Sequence, residues 1–265
     1  MAASADPKWA DLAPRAASAG VMVAVGTAGV VAGGVWFQMI AVFVTAVMVW
    51  ELWTMIEPQG PTRGMLLAAL VASVLSGQLA IQESWGLLLF LVAPVVGALA
   101  LGRERLTFLG FALGVQVAGW GLVTFRIDYG FFWLLWLIGV VVVTDVAGYF
   151  AGRLIGGPKF WPAVSPKKTW AGTSAGWIGA AAVGAVFDGF TQVGPQILLL
   201  SVLLSFASQM GDIAESALKR RMKVKDSSAL IPGHGGLFDR FDAMLGASLF
   251  MLVVTAAFGV PGAAP

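Results

Sequence analysis

The sequence predicts an all-α fold: a polytopic bundle of about nine transmembrane helices, N-terminus inside and C-terminus outside. Three observations carry this. Of the 265 residues 58% are hydrophobic and only 11% are charged, against roughly 25% charged in soluble domains, and the mean hydropathy is +0.86. Apolar runs of about 20 residues, the length that crosses a bilayer, recur along the whole chain. Lys and Arg collect in alternate connections between those runs, as they do when one side of a membrane retains them.

The opening stretch, MAASADPKWADLAPRAASAG, is interrupted by Asp6, Pro7, Asp11 and Pro14. It lacks the compact apolar core of a signal peptide, so a short tail before the first helix is expected. The predicted spans are 16–32, 35–56, 64–81, 85–102, 106–125, 131–153, 171–190, 195–219 and 241–260. Gly33-Gly34 leaves room only for a tight turn between the first two. The third and fourth are short, suited to tilt or partial re-entry. The eighth begins after Pro195 and is expected to run past the membrane surface as a polar extension. No internal repeat or low-complexity linker is present. Residues 1–130 are expected to form a lipid-facing scaffold, and 131–265 to carry the functional loops.

Threaded through nine spans, the basic residues from Lys8 and Arg15 to Lys225 and Arg240 fall on the N-terminal side, and of all 16 Lys and Arg only Arg126 falls opposite. The basic side is the cytoplasmic one. The expected location is therefore an integral protein of a bacterial inner membrane, with its site on the cytoplasmic face. Trp36, Trp50, Trp53, Trp85, Trp133 and Trp170 lie near span ends, where interfacial aromatics anchor helices. There is no cysteine and only one histidine, which excludes disulfides, thiolate nucleophiles and multi-histidine metal sites. Any metal would be a hard cation such as Mg²⁺, held by carboxylates or substrate phosphates.

Two polar segments lie on the basic side. In the first, Asp145, Gly148, Tyr149 and Gly152 share one helix face by their i, i+3, i+4, i+7 spacing. They lead into Ser165-Pro166-Lys167-Lys168-Thr169-Trp170. An ionisable residue inside a span is a functional candidate, although Asp145 could simply pair with Arg153. The second segment is denser. Asp212, Glu215, Ser216 and Lys219 share one face of the eighth span, with Gln209 a turn earlier. Lys225-Asp226 and Pro232-Gly233-His234-Gly235-Gly236-Leu237-Phe238-Asp239-Arg240-Phe241-Asp242 follow. Lys and Arg bind phosphate and neighbouring carboxylates bind Mg²⁺, so the mixture suits a metal–polyphosphate complex better than either sign alone. The glycines flanking His234 permit positive φ and close backbone approach. His234 itself could contact a phosphate or a base, or only order its turn. Asp226 and Asp242 are expected as partners of nearby Lys and Arg.

The stretch SALKRRMKVKDSSALIPGHGGLFDRFD, Ser216 to Asp242, resembles the signature of the phosphatidate cytidylyltransferases, the CDP-diacylglycerol synthases, with no departure at its fixed positions. The resemblance extends over roughly 144–242 and implies a reaction: CTP plus phosphatidate gives CDP-diacylglycerol and pyrophosphate, with Mg²⁺. It implies metal ligands at Asp212 and Asp239, with a second cation such as K⁺ between them. Ser216, Lys219 and Arg240 join these as expected catalytic residues. Asp145, Ser165, Lys167, Lys168, Gln209, Arg220, Lys225, Asp226, His234, Gly235 and Gly236 are the expected substrate contacts. The implied partners are CTP, phosphatidate, the lipid bilayer and a second copy in a homodimer, with no nucleic acid. A CTP-dependent enzyme of another lipid, such as an ether or isoprenoid analogue, is the alternative, and a transporter a more distant one.

Overall fold

A computed structural model describes residues 12–81 and 83–260. The tail expected over residues 1–11 lies outside them. The described residues form helices, one short hairpin and the connecting loops, and they contain seven helices long and apolar enough to cross a membrane. The described residues fall into two compact units: those up to 113 with 224–240, and 114–223 with 241–260.

The first unit holds α1 (Leu12–Ala32), α2 (Gly34–Ile56) and α3 (Pro61–Ile81). A 3-10 helix (Ser84–Leu91) then runs into α4 (Val92–Ala100), so the fourth apolar segment is one broken, short helix. Gly33, at φ 62°, makes the turn between α1 and α2. α2 and α3 form an antiparallel pair around Met48, Leu52, Trp53, Ile56, Leu67, Val71 and Leu75, all at most 5% exposed. Trp53 closes the connection by donating its Nε1–H to the Gly60 carbonyl at 2.8 Å. A Cβ on Gly64 would come within 2.7 Å of the Trp53 ring, so only glycine lets the indole lie flat against α3. Arg103 satisfies an orphan carbonyl at the C-terminus of α2 through Nη2 to Ile56 O, 2.7 Å. The returning loop 224–237 and the first turn of α8 (Phe238–Phe258) complete this unit, with Phe238 buried against Phe111.

The second unit is built on α5 (Arg105–Leu154) from Gly114 onward, α6 (Trp170–Thr191), α7 (Gln196–Met222) and α8 from Phe241 onward. The segments expected at 106–125 and 131–153 join into the 50-residue α5, broken at Gly130 with φ 84° and ψ −173°. A straight helix of that length would rise about 75 Å, far more than a hydrocarbon core of about 30 Å. The glycine break is what lets both halves be apolar. The core gathers Trp133, Trp136, Leu137, Val140, Ile197, Leu204, Ala247 and Met251. Polar atoms inside it are paired: Trp136 Nε1 donates to Ser201 Oγ at 2.9 Å and Thr144 Oγ1 to Ser205 Oγ at 2.8 Å. α7 does extend past the expected 219 and ends at Lys223 in a left-handed cap.

The sequence did not announce the hairpin of β1 (Lys159–Trp161) and β2 (Ser165–Thr169), an antiparallel pair with an irregular register. Its five strand-two residues include a proline and two lysines, so no alternating pattern marks it. Thr169 ends β2 and caps α6 by accepting the Gly172 N–H at 3.1 Å.

Candidate active site

Within the second unit, three helices and the hairpin bound a polar cavity of about 460 Å³. α5 contributes Asp145, Gly148, Tyr149, Gly152 and Arg153; the hairpin contributes Lys167 and Lys168; α7 contributes Gln209 and Asp212. The floor is backbone. A Cβ on Gly172 of α6 would stand 2.6 Å from the Gly148 carbonyl, so α5 and α6 touch where both lack a side chain. The cap at Thr169 fixes the start of α6, and with it the preceding lysine. Lys168 Nζ lies 2.6 Å from Asp212 Oδ2 and donates to the Gln209 carbonyl at 3.4 Å.

Beside the cavity, Asp212, Glu215 and Asp242 each offer an oxygen such that all three lie within 4.8 Å of one another. Two glycines make this possible. A Cβ on Gly211 would strike the Asp242 carbonyl, and one on Gly246 would strike the Ala207 carbonyl. α7 and α8 therefore cross at backbone contact, as small residues permit between membrane helices, and the acids beside the crossing meet. Three carboxylates this close repel unless charge of the other sign joins them. Lys168 pairs with Asp212, and Lys219 Nζ pairs with Glu215 Oε2 at 2.5 Å. Ser216 Oγ donates to Asp212 Oδ1 at 3.4 Å. The donor set is all oxygen, the chemistry of a hard divalent cation, so these residues fit one.

In the first unit the signature loop is folded tightly. Ile231 N donates to Gly235 O at 2.8 Å and His234 N to Ile231 O at 2.9 Å. Gly233 and Gly235 sit at φ 75° and 78°. His234 Nδ1 meets Ser18 Oγ of α1 at 2.9 Å, and Arg240 Nε donates to the His234 carbonyl at 3.1 Å. Asp239 Oδ2 accepts three bonds: from Ser227 N and Gly236 N at 2.8 Å each, and from Ser227 Oγ at 2.7 Å. The Gly236 bond ties the signature loop to the first turn of α8.

The residues expected from the sequence thus divide. Asp145, Lys167, Lys168, Gln209 and Asp212 line one cavity. Gln209 is 6% exposed and packs α6 on α7, accepting from Trp177 Nε1 at 3.0 Å and donating to Thr173 O at 3.3 Å. Ser165 is buried at the start of β2, while Arg220, Lys225, Asp226 and Arg240 are exposed. Arg153 bonds the Tyr149 hydroxyl at 2.7 Å and not Asp145, the pairing that was the alternative to a functional Asp145. Asp242, expected as a partner of basic groups, belongs to the acidic group, and so does Glu215. Asp239 belongs to the first unit and to its own loop. Glu51 of α2 was missed altogether. It is fully buried and its carboxylate accepts four hydrogen bonds from the signature loop and the head of α8. The signal was present: Glu51 is the lone ionisable residue in its span. A larger cavity of about 740 Å³ between α2 and α3 is lined almost wholly by apolar side chains.

Lysines and clustered carboxylates at a polar cavity among membrane helices define an integral-membrane enzyme of phosphate chemistry. Residues 13–258 match the model of the Cytidylyltransferase family. The phosphatidate cytidylyltransferase of Brucella suis biovar 1 (strain 1330) is 35% identical over 239 residues, covering 86% of this chain and 87% of that protein. The phosphatidate cytidylyltransferase of Bacillus subtilis (strain 168) is 40% identical over 134 residues, 49% of this chain and 50% of that protein. That of Staphylococcus haemolyticus (strain JCSC1435) is 38% identical over 154 residues, 55% and 59% of the two. The chain belongs to the cytidylyltransferase family and is a nucleotidyltransferase.

Proposed function

We propose that this protein transfers the cytidylyl group of CTP to phosphatidate, giving CDP-diacylglycerol and pyrophosphate. The observation that carries the reading is the acidic group of Asp212, Glu215 and Asp242 beside a cavity bearing Lys167 and Lys168, in a chain similar to proteins named phosphatidate cytidylyltransferase. A lipid phosphate oxygen, already ionised at neutral pH, attacks the α-phosphorus. The new P–O bond forms as the bond to the bridging oxygen breaks, and pyrophosphate leaves with that electron pair. No proton has to move, which suits a site without a catalytic His or Cys.

The obstacle is like charge, since a phosphomonoester must approach a triphosphate. Lys167 and Lys168 supply fixed positive charge toward the cavity, and positioning plus charge neutralisation is most of what phosphoryl transfer needs. Asp212 and Asp242 would hold Mg²⁺ with Glu215 alongside. The ion when bound neutralises phosphoryl oxygens and stabilises the leaving pyrophosphate. Asp239, expected as the second ligand, is assigned in this reading to ordering the signature loop.

The nine apolar segments, all helical, are taken as nine crossings with the N-terminus in the cytoplasm of a bacterial inner membrane. Every Lys and Arg except Arg126 then faces the side where CTP is found. The test incubates purified protein with CTP, dCTP or ATP and with diacyl, ether-linked or isoprenoid lipid phosphates, and identifies products by mass. CDP-diacylglycerol and pyrophosphate are expected, abolished by EDTA and restored by Mg²⁺. No pyrophosphate release with any lipid phosphate overturns the reading.

A further inference from the structure

We propose that Glu51 is a positioning residue for this reaction, holding the signature loop and the head of α8 in register from the otherwise apolar helix α2. Its Oε1 accepts from Ser228 Oγ at 2.6 Å and from Leu237 N at 3.0 Å, and its Oε2 from Phe238 N at 2.7 Å and Ser227 Oγ at 3.4 Å. The side chain is fully buried. A buried carboxylate is costly unless its oxygens are hydrogen-bonded, and here both are.

The four donors are not scattered. Two are N–H groups at a helix start, Leu237 and Phe238, which have no intrahelical partner and favour negative charge. The other two are adjacent serines of the loop. Asp239 takes the remaining donors of the same corner, Gly236 N and Ser227 N, and shares Ser227 Oγ. Two carboxylates thus divide one set of loop donors. Gly236 records the fit: a Cβ there would collide with Glu51 Oε1 and Ser227 Oγ, so glycine at 236 leaves the space the glutamate fills. α8, whose first N–H groups Glu51 takes up, carries Asp242 four residues beyond Phe238. Glu51 touches no reacting atom; it acts through the loop and the helix.

This inference rests on the proposed function, in which Asp242 helps hold the cation. The test compares wild type, Glu51→Gln, Ser228→Ala and Asp212→Asn, purified in detergent. Folded fraction, melting temperature, kcat, KM for CTP and the Mg²⁺ concentration for half-maximal activity are measured for each. Glu51→Gln keeps the shape but turns a donor toward donors. It is expected to raise the half-activating Mg²⁺ or lower kcat by about 10-fold or more, with KM for CTP moving far less. Should Glu51→Gln fail to fold, Ser228→Ala removes only the shortest bond and is expected to shift Mg²⁺ dependence in the same direction by less. An unchanged Mg²⁺ dependence in the folded variant, with activity falling only as the folded fraction falls, overturns the proposal. An inactive Asp212→Asn beside a wild-type Glu51→Gln sinks the role of Glu51 alone. A fully active Asp212→Asn sinks the cation site, and this inference with it.

Discussion

Asp212 stands between charges of both signs: Lys168 on one oxygen, Ser216 on the other, Glu215 and Asp242 close by. Replacing it with Asn removes one negative charge at nearly constant shape. Activity is expected to fall at least about 100-fold, the usual scale for losing one fixed electrostatic group in a site, with membrane insertion and melting temperature nearly unchanged. Initial rates of pyrophosphate release check this. Lys168→Gln, which strips the positive partner, is expected to weaken CTP and lipid phosphate binding together, read as a rise in both KM values. At this scale the signature stretch was legible because residues that bind phosphate and cations cannot sit in lipid without a reason. What the sequence could not convey was partnership. Asp239 and Asp242 are three positions apart on one helix, yet the first turns its Oδ2 to loop N–H groups and the second joins the acids of α7. Glu51 lies 176 positions before Ser227, beyond any local pattern.

Helices were legible as elements because lipid forces every backbone group to pair within its own segment. Eight of the nine expected segments fall in the seven long apolar helices, two of them together in α5, and the fourth is a 3-10 helix leading into the short α4. α8 starts at Phe238 rather than 241 because Glu51 and Asp239 take up the N–H groups there. The 3-10 stretch and the β1–β2 hairpin were not legible, since neither carries a period of its own. The α7–α8 crossing is the element on which the acidic group depends. Gly246→Ala would drive a methyl into the Ala207 carbonyl and the Gly211 backbone. Overpacking of this kind costs about 1–3 kcal/mol. A lower melting temperature is expected, together with a raised Mg²⁺ requirement, whereas Gly110→Ala, which meets nothing within 4 Å, should leave both unchanged.

For the molecule as a whole, sequence charge predicts orientation without reference to any contact. The chain has no cysteine, so single cysteines can be placed without background. Ala163→Cys, in the exposed turn of the hairpin, is expected to react with an impermeant maleimide only when the cytoplasmic side is open. Asp128→Cys, exposed beside Arg126, is expected to react from the opposite side. Labelling of inside-out and right-side-out vesicles checks both, and same-side labelling would overturn the nine-span arrangement. The odd count depends on Gly130, where the backbone breaks at φ 84°, separating two crossings.

The ammonium of Lys168 is held by Asp212. Asp212 would have to serve both that ammonium and a bound divalent ion, and Lys168, sharing it, would offer its charge to a polyphosphate in the cavity. Each guest then improves the welcome of the other, and by linkage the improvement is equal in both directions. Free CTP and free metal should each bind weakly, and the pair should enter as one.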